Sequence, residues 1–315
     1  MAVENMRSAR VGRAGVLAAL VVLASGAGCL AVFGPPVEYE PLPRLIGRLE
    51  DERITEASGL AASRRHADCF YVHNDSGDSP RVFLVDRGGR TRLEIRLQGA
   101  QARDYEDIAM APGSAAGAWD VCVADIGDNR ARRSTVVVYR FPEPELPADG
   151  SPMIEVTPRA FTFKYADGPA DAEAFCVHPA TGDGYILTKR TDGRSFVYKL
   201  AAPWSADEAR VLPRLAEVRL PAPLAAAGIV TAADIAPDGR RLAVRCYFGG
   251  WEWRLPERVD LAAFDRILHE DPAALALALE RQGEALCYAA DGLSLLTVSE
   301  GLHPGLYEVR ARSAD

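Results

Sequence analysis

The sequence predicts an all-β fold, a five-bladed β-propeller, and three observations predict it. One phrase recurs five times, each recurrence leads into strand-like runs parted by tight-turn residues, and the period suits a four-stranded blade. The phrase is Ser58-Gly-Leu-Ala-Ala, Glu106-Asp-Ile-Ala-Met, Glu173-Ala-Phe-Cys-Val, Ala233-Asp-Ile-Ala-Pro and Glu284-Ala-Leu-Cys-Tyr, at spacings of 48, 67, 60 and 51 residues. A content of 27 glycines and 21 prolines in 315 residues fits many short strands better than long helices.

Each phrase reads as the innermost strand of a blade. Turns follow, among them Pro179-Ala-Thr-Gly-Asp-Gly, Pro237-Asp-Gly and Ala290-Asp-Gly, where glycine supplies the positive φ of a hairpin. Second strands are expected at 69–73, 119–124, 185–188, 242–247 and 295–298, and third strands at 82–85, 136–141, 196–200, 251–255 and 306–309. Alternation at 92–97, 159–164 and 215–220 marks fourth strands. The fifth unit stops after its third strand, and a spare run, Leu45-Ile-Gly-Arg-Leu, precedes the first unit. The N-terminal strand is therefore expected to close the last blade and remove an open edge. A short helical insertion is expected over 257–270, ended by Pro272, with 275–279 as the outer strand of blade four or a second helix. A sixth blade is the alternative if the long second unit, which contains Pro142-Glu-Pro-Glu-Leu-Pro, hides a degenerate repeat.

The N-terminus differs in kind. Arg7, Arg10 and Arg13 precede an apolar run ending Gly26-Ala-Gly-Cys29, the pattern of a signal peptide over 1–28 with lipidation at Cys29. Gly26 stands where a lipoprotein cleavage box usually carries Leu or Val, and the apolar run continues to Phe33, so an uncleaved membrane anchor is the alternative. Residues 29–43, rich in proline, read as a tether, and 44–315 as one propeller domain. The expected location is exported, periplasmic or at the cell surface, held to the membrane by the lipid or anchor. Losing the leader removes three arginines and one glutamate and takes the formal charge from -8 to -10. Nucleic acid is excluded as a partner on that charge. Cys69, Cys122, Cys176, Cys246 and Cys287 lie in apolar strand runs without C-x-x-C spacing, and read as small buried hydrophobes.

In a propeller, residues that start equivalent inner strands ring a central channel. Ser58, Glu106, Glu173, Ala233 and Glu284 form that ring, with Asp107 and Asp234 one place on. Converging carboxylates raise one another's proton affinity unless a cation or basic side chain neutralises them. Calcium, a hard ion that takes several oxygen ligands, is the natural occupant; Lys189, Arg190 and Arg245 are the basic alternative. The loops Asp75-Ser-Gly-Asp78 and Asp125-Ile-Gly-Asp128 add carboxylates at the ends of second strands. The metal set expected is Glu106, Glu173, Glu284, Asp75, Asp125 and Asp128; the ligand or anion contacts expected are His73, Lys189, Arg190 and Arg245. No G-x-S-x-G, P-loop, H-E-x-x-H or dinucleotide glycine pattern is present, so no catalytic residue is assigned.

The runs Ala57-Ser-Gly-Leu-Ala-Ala-Ser, His73-Asn-Asp-Ser-Gly-Asp, Asp104-Tyr-Glu-Asp-Ile-Ala, Asp125-Ile-Gly-Asp-Asn, Leu187-Thr-Lys-Arg and Gln282-Gly-Glu-Ala-Leu resemble a family of exported bacterial β-propellers, often lipoproteins. More distantly the chain is similar to phytase-like, esterase-like propellers. That resemblance implies lipid anchoring and, through its distant arm, calcium-dependent binding and hydrolysis of phosphate esters. Two functions are therefore expected in competition. One is a binding module with an acidic, calcium-loaded funnel for a small ligand or envelope protein; the other is a metal-dependent hydrolase of phosphate or other esters.

Overall fold

The computed structural model describes residues 38–221 and 228–312. The expected signal peptide, Cys29 and most of the tether lie outside the described residues. Among those residues no helix is long and apolar enough to cross a membrane.

The strands in chain order are β1 (Arg44–Arg48), β2 (Ala57–Ala62), β3 (Cys69–Asn74), β4 (Arg81–Asp86), β5 (Thr91–Leu97), β6 (Tyr105–Pro112), β7 (Trp119–Asp125) and β8 (Val136–Pro142). They continue as β9 (Met153–Val156), β10 (Arg159–Tyr165), β11 (Ala172–Val177), β12 (Gly184–Thr188), β13 (Arg194–Leu200), β14 (Arg210–Leu212) and β15 (Arg214–Arg219). The last are β16 (Val230–Ile235), β17 (Arg241–Cys246), β18 (Gly249–Arg254), β19 (Ala273–Leu275), β20 (Gly283–Tyr288), β21 (Ser294–Ser299) and β22 (Gly305–Arg310). They form five sheets, β2-β3-β4-β5-β9, β6-β7-β8-β10-β14, β11-β12-β13-β15, β16-β17-β18-β19 and β20-β21-β22-β1, which are the five blades of a propeller.

The hydrophobic core is divided accordingly. Inner and middle strands are buried on both faces, because each blade packs against two neighbours, and apolar side chains gather into five clusters, one per blade interface. Between the second and third blades, for example, Cys122, Val138 and Phe163 meet Phe175, Tyr198 and Trp204. The five described cysteines are free thiols, all buried except the half-buried Cys69.

The ring closes as the unpaired N-terminal run predicts. β1 pairs antiparallel with β22, Arg44 opposite Glu308. Tyr39 then bridges to Ala311 and reaches the fourth blade, where its hydroxyl donates to Glu252 at 2.5 Å. No sixth blade is hidden in the long second unit. Its extra length returns to the first blade as β9, parallel to β5, and the excursion before β15 does the same for the second blade as β14, parallel to β10. Each covers an outer edge that would otherwise offer open N–H and C=O groups. The insertion is a kinked 3-10 segment, Leu261–His269, whose Phe264 packs on His178 and Tyr185. The outer strand of that blade is Ala273–Leu275, earlier than the alternation at 275–279 suggests.

Candidate functional site

Every innermost strand carries a register shift near its start, opposite the end of its second strand. The extra residue is Ser58, Glu106, Glu173, Thr231 and Glu284 in turn. Bulges of this kind re-aim one side chain where regular pairing stops, and here they set the ring at the mouth of the channel. Pairing corrects one member: the fourth blade contributes Thr231, not Ala233, which lies two residues deeper. Ser58 and Thr231, the two hydroxyl members, tie neighbouring blades by donating to the carbonyls of Glu106 and Gly283, each at 2.9 Å.

The three glutamates of the ring are buried, and three loop aspartates join them at the mouth in two triads. Ligand oxygens of Asp75, Asp104 and Glu106 lie within 4.8 Å of one another, as do those of Glu106, Asp171 and Glu173, so Glu106 belongs to both triads. Lys189 donates to Glu173 Oε1 at 2.7 Å, and its ammonium lies 5.7 Å from the centre of the Tyr247 ring. Gly127 leaves the space the first triad needs, since a Cβ there would stand 1.9 Å from Glu106 Oε1 and 2.6 Å from Asp104 Oδ2.

Burial and mutual repulsion hold protons on this cluster. Glu106 sits well above the usual carboxylate range, through burial first and the charges of Glu173, Asp75 and Asp104 next. Glu173 is pushed up to about 7 by burial, against the pull of Lys189. Glu284 is also pushed up to about 7 by burial and by Glu173, and Asp104 to about 6 by burial and by Asp75 and Asp171. Within the pair Glu106 is the donor and Glu173 the acceptor. Glu284, 5 % exposed, has one oxygen, Oε2, with no hydrogen-bond partner. A cluster of buried carboxyl oxygens short of donors suits a hard cation.

Not every expected residue is at the mouth. Asp125 pairs with Arg133 at 2.6 Å, and Asp128 accepts from the Arg133 amide at 2.6 Å. The reason is register: Asn74 stands opposite Ala57 and Asp125 opposite Tyr105, so Asp125 matches Asn74 and not Asp75. A one-residue slip exchanges the faces of a strand. His73 is fully buried, stacked edge-on against Tyr105 at 5.7 Å, its Nδ1 2.9 Å from the carbonyl of Asn74, and burial lowers its pKa to about 4. Arg245 is buried against Gly283 and pairs with Glu280 at 2.7 Å, while Arg190 pairs with Asp192 on the surface and stacks on Phe196. Of the basic residues expected at the mouth, only Lys189 is there.

Asp107 and Asp234 are inter-blade clasps. Asp107 accepts from the amides of Ile108, Phe175 and Ala233 at 2.9, 2.9 and 3.2 Å, joining three blades at the axis. Asp234 accepts from Ile235 and Tyr288, both at 2.8 Å. Asp104 and Asp171 are the mouth residues that the phrase alignment misses. Their signal is a repeated D-x-E, Asp104-Tyr-Glu106 and Asp171-Ala-Glu173, two places ahead of the ring.

With this geometry in hand, comparison with known proteins adds no identity: no protein-family model and no curated protein matches the chain.

Proposed function

We propose that the protein is an exported, lipid-anchored propeller binding module whose acidic mouth holds calcium and presents a negative funnel to a cationic ligand, either a small molecule or a basic segment of an envelope protein. The observation that carries this reading is the meeting of Asp75, Asp104, Glu106, Asp171, Glu173 and Glu284 around a single lysine. Calcium is favoured because the donors are all oxygens, and carboxylates with water can complete its flexible shell. Charge chooses between ligands. A bound cation displaces the protons the cluster holds, and the six carboxylates so ionised outweigh Lys189 and one divalent ion, leaving negative charge that attracts cations and repels phosphate esters. Export and lipidation rest on the leader and Cys29.

The hydrolase reading draws on the same triads with Lys189 as anion contact. Calorimetric titration with calcium, together with turnover assays on phosphate and carboxylate esters, separates the two. Saturable calcium binding without turnover is expected; calcium-dependent hydrolysis replaces the binding module by the enzyme, and absence of divalent binding removes both. Metabolic labelling with palmitate, lost in Cys29→Ala, tests the anchor.

A further inference from the structure

The mouth offers two places for a cation and one shared ligand between them. The triads Asp75, Asp104, Glu106 and Glu106, Asp171, Glu173 are alike in chemistry and in size. They differ in what the end of the neighbouring second strand contributes. Asp75 follows β3 and its amide donates to the carbonyl of Glu56; Lys189 follows β12 and its amide donates in the same way to the carbonyl of Asp171. Equivalent backbone positions thus bring a carboxylate to the first triad and an ammonium group to the second.

We infer that Lys189 is a tethered cation: its ammonium group fills the Glu106, Asp171 and Glu173 half of the mouth, so that the protein takes one divalent ion, held by Asp75, Asp104 and Glu106. This rests on the calcium reading above and fixes its stoichiometry. The Lys189 nitrogen lies 2.7 Å from Glu173 Oε1, the place a second ion would need. A divalent ion there would face an ammonium group across one carboxylate, like charge against like. The first triad has no such direct partner: among the described residues no lysine, arginine or histidine forms an ion pair with Asp75, Asp104 or Glu106, and Lys189 and Arg133 act on Asp75 and Asp104 only from beyond ion-pair distance.

Two buried groups mark the mouth as built for a ligand and not simply acidic. Glu106 is 2 % exposed, and its side chain finds only another carboxyl, that of Glu173, as a hydrogen-bond partner. Glu284, on the Lys189 side, keeps Oε2 buried and unpartnered. Buried polar atoms are nearly always satisfied, and Glu284 Oε2 at this mouth is not. Gly127 lies against Glu106 and Asp104, where any side chain would displace both carboxylates.

Calorimetry and native mass spectrometry with calcium as the sole ligand at pH 8 test this on the full chain. The unaltered protein is expected to bind one ion and Lys189→Met two. Lys189→Arg, which keeps the charge, stays at one, and Asp104→Asn removes the ion of the unaltered protein. Two ions on the unaltered protein, or one on Lys189→Met, overturn the inference while leaving calcium binding in place. No ion on the unaltered protein removes the calcium reading and the inference with it. Lys189→Gln replaces Lys189→Met if the latter does not melt cooperatively.

Discussion

Glu106 and Asp107 are neighbours on one strand and both are almost wholly buried, yet they do opposite work. Asp107 sits in a socket of three backbone amides, from its own blade and two others. Burial raises its proton affinity well above the usual carboxylate range, and those amides offset only part of that rise. Glu106, one residue nearer the opening, has a second carboxyl as its hydrogen-bond partner, and burial and its acidic neighbours raise its proton affinity with no amide to offset them. The pair teaches that burial of a carboxylate does not define a site. What distinguishes a clasp from a ligand is whether the protein itself supplies the donors.

Breaking the clasp should have the largest effect. Asp107→Ala leaves the amides of Phe175 and Ala233 without acceptors in a dry interior, and should cost about 4 kcal/mol by urea denaturation. Arg133→Ala strips Asp125 of its buried partner and should cost about 3 kcal/mol, because the unpaired charge stays inside. If instead either variant weakens calcium binding without loss of stability, the division between clasp and mouth is wrong.

The mouth should answer to pH. Glu173 and Glu284 have folded values near 7, above their ordinary 4.5, so the folded state binds the proton more tightly than the unfolded chain. The stability this gives is complete below about pH 4.5 and is lost as the pH rises through about 7. In EDTA the melting temperature is expected to fall by about 5 °C between pH 5 and pH 8, and calcium to restore it at pH 8. A melting temperature that rises over that interval would contradict the assignment. Glu106→Gln should remove much of this slope and weaken calcium binding about 10-fold or more, with little change in stability at pH 5. The smallest effect belongs to Arg190→Ala, a surface pair, at under about 0.5 kcal/mol with calcium binding unaltered.

The fold was legible because strands, turns and period agree: hydrophobic alternation and Asp-Gly turns mark each blade, and the spare run before Ala57 implies the closing strand. The ring was legible in four of its five blades. Thr231 escaped because Ala233-Asp-Ile imitates Glu106-Asp-Ile in letters, whereas the bulge that sets the ring is a property of pairing between strands. The same cause misplaced Asp125, whose loop copies Asp75-Ser-Gly-Asp78 one residue out of step. His73 and Arg245 look available in sequence because they are polar; at those strand positions the side chain enters the packing between blades.

The closing strand also decides how the propeller meets a load. Any pull arriving along the N-terminal segment reaches the bonds of Glu38 to Arg312 and of Tyr39 to Glu252 first, then the four residue pairs that β1 shares with β22. A pull along the strand axis makes those pairs slide together, so that they cannot unzip one at a time. A tether fixed at this end therefore strains the latch before it strains any blade, and the channel mouth keeps its shape until the latch gives.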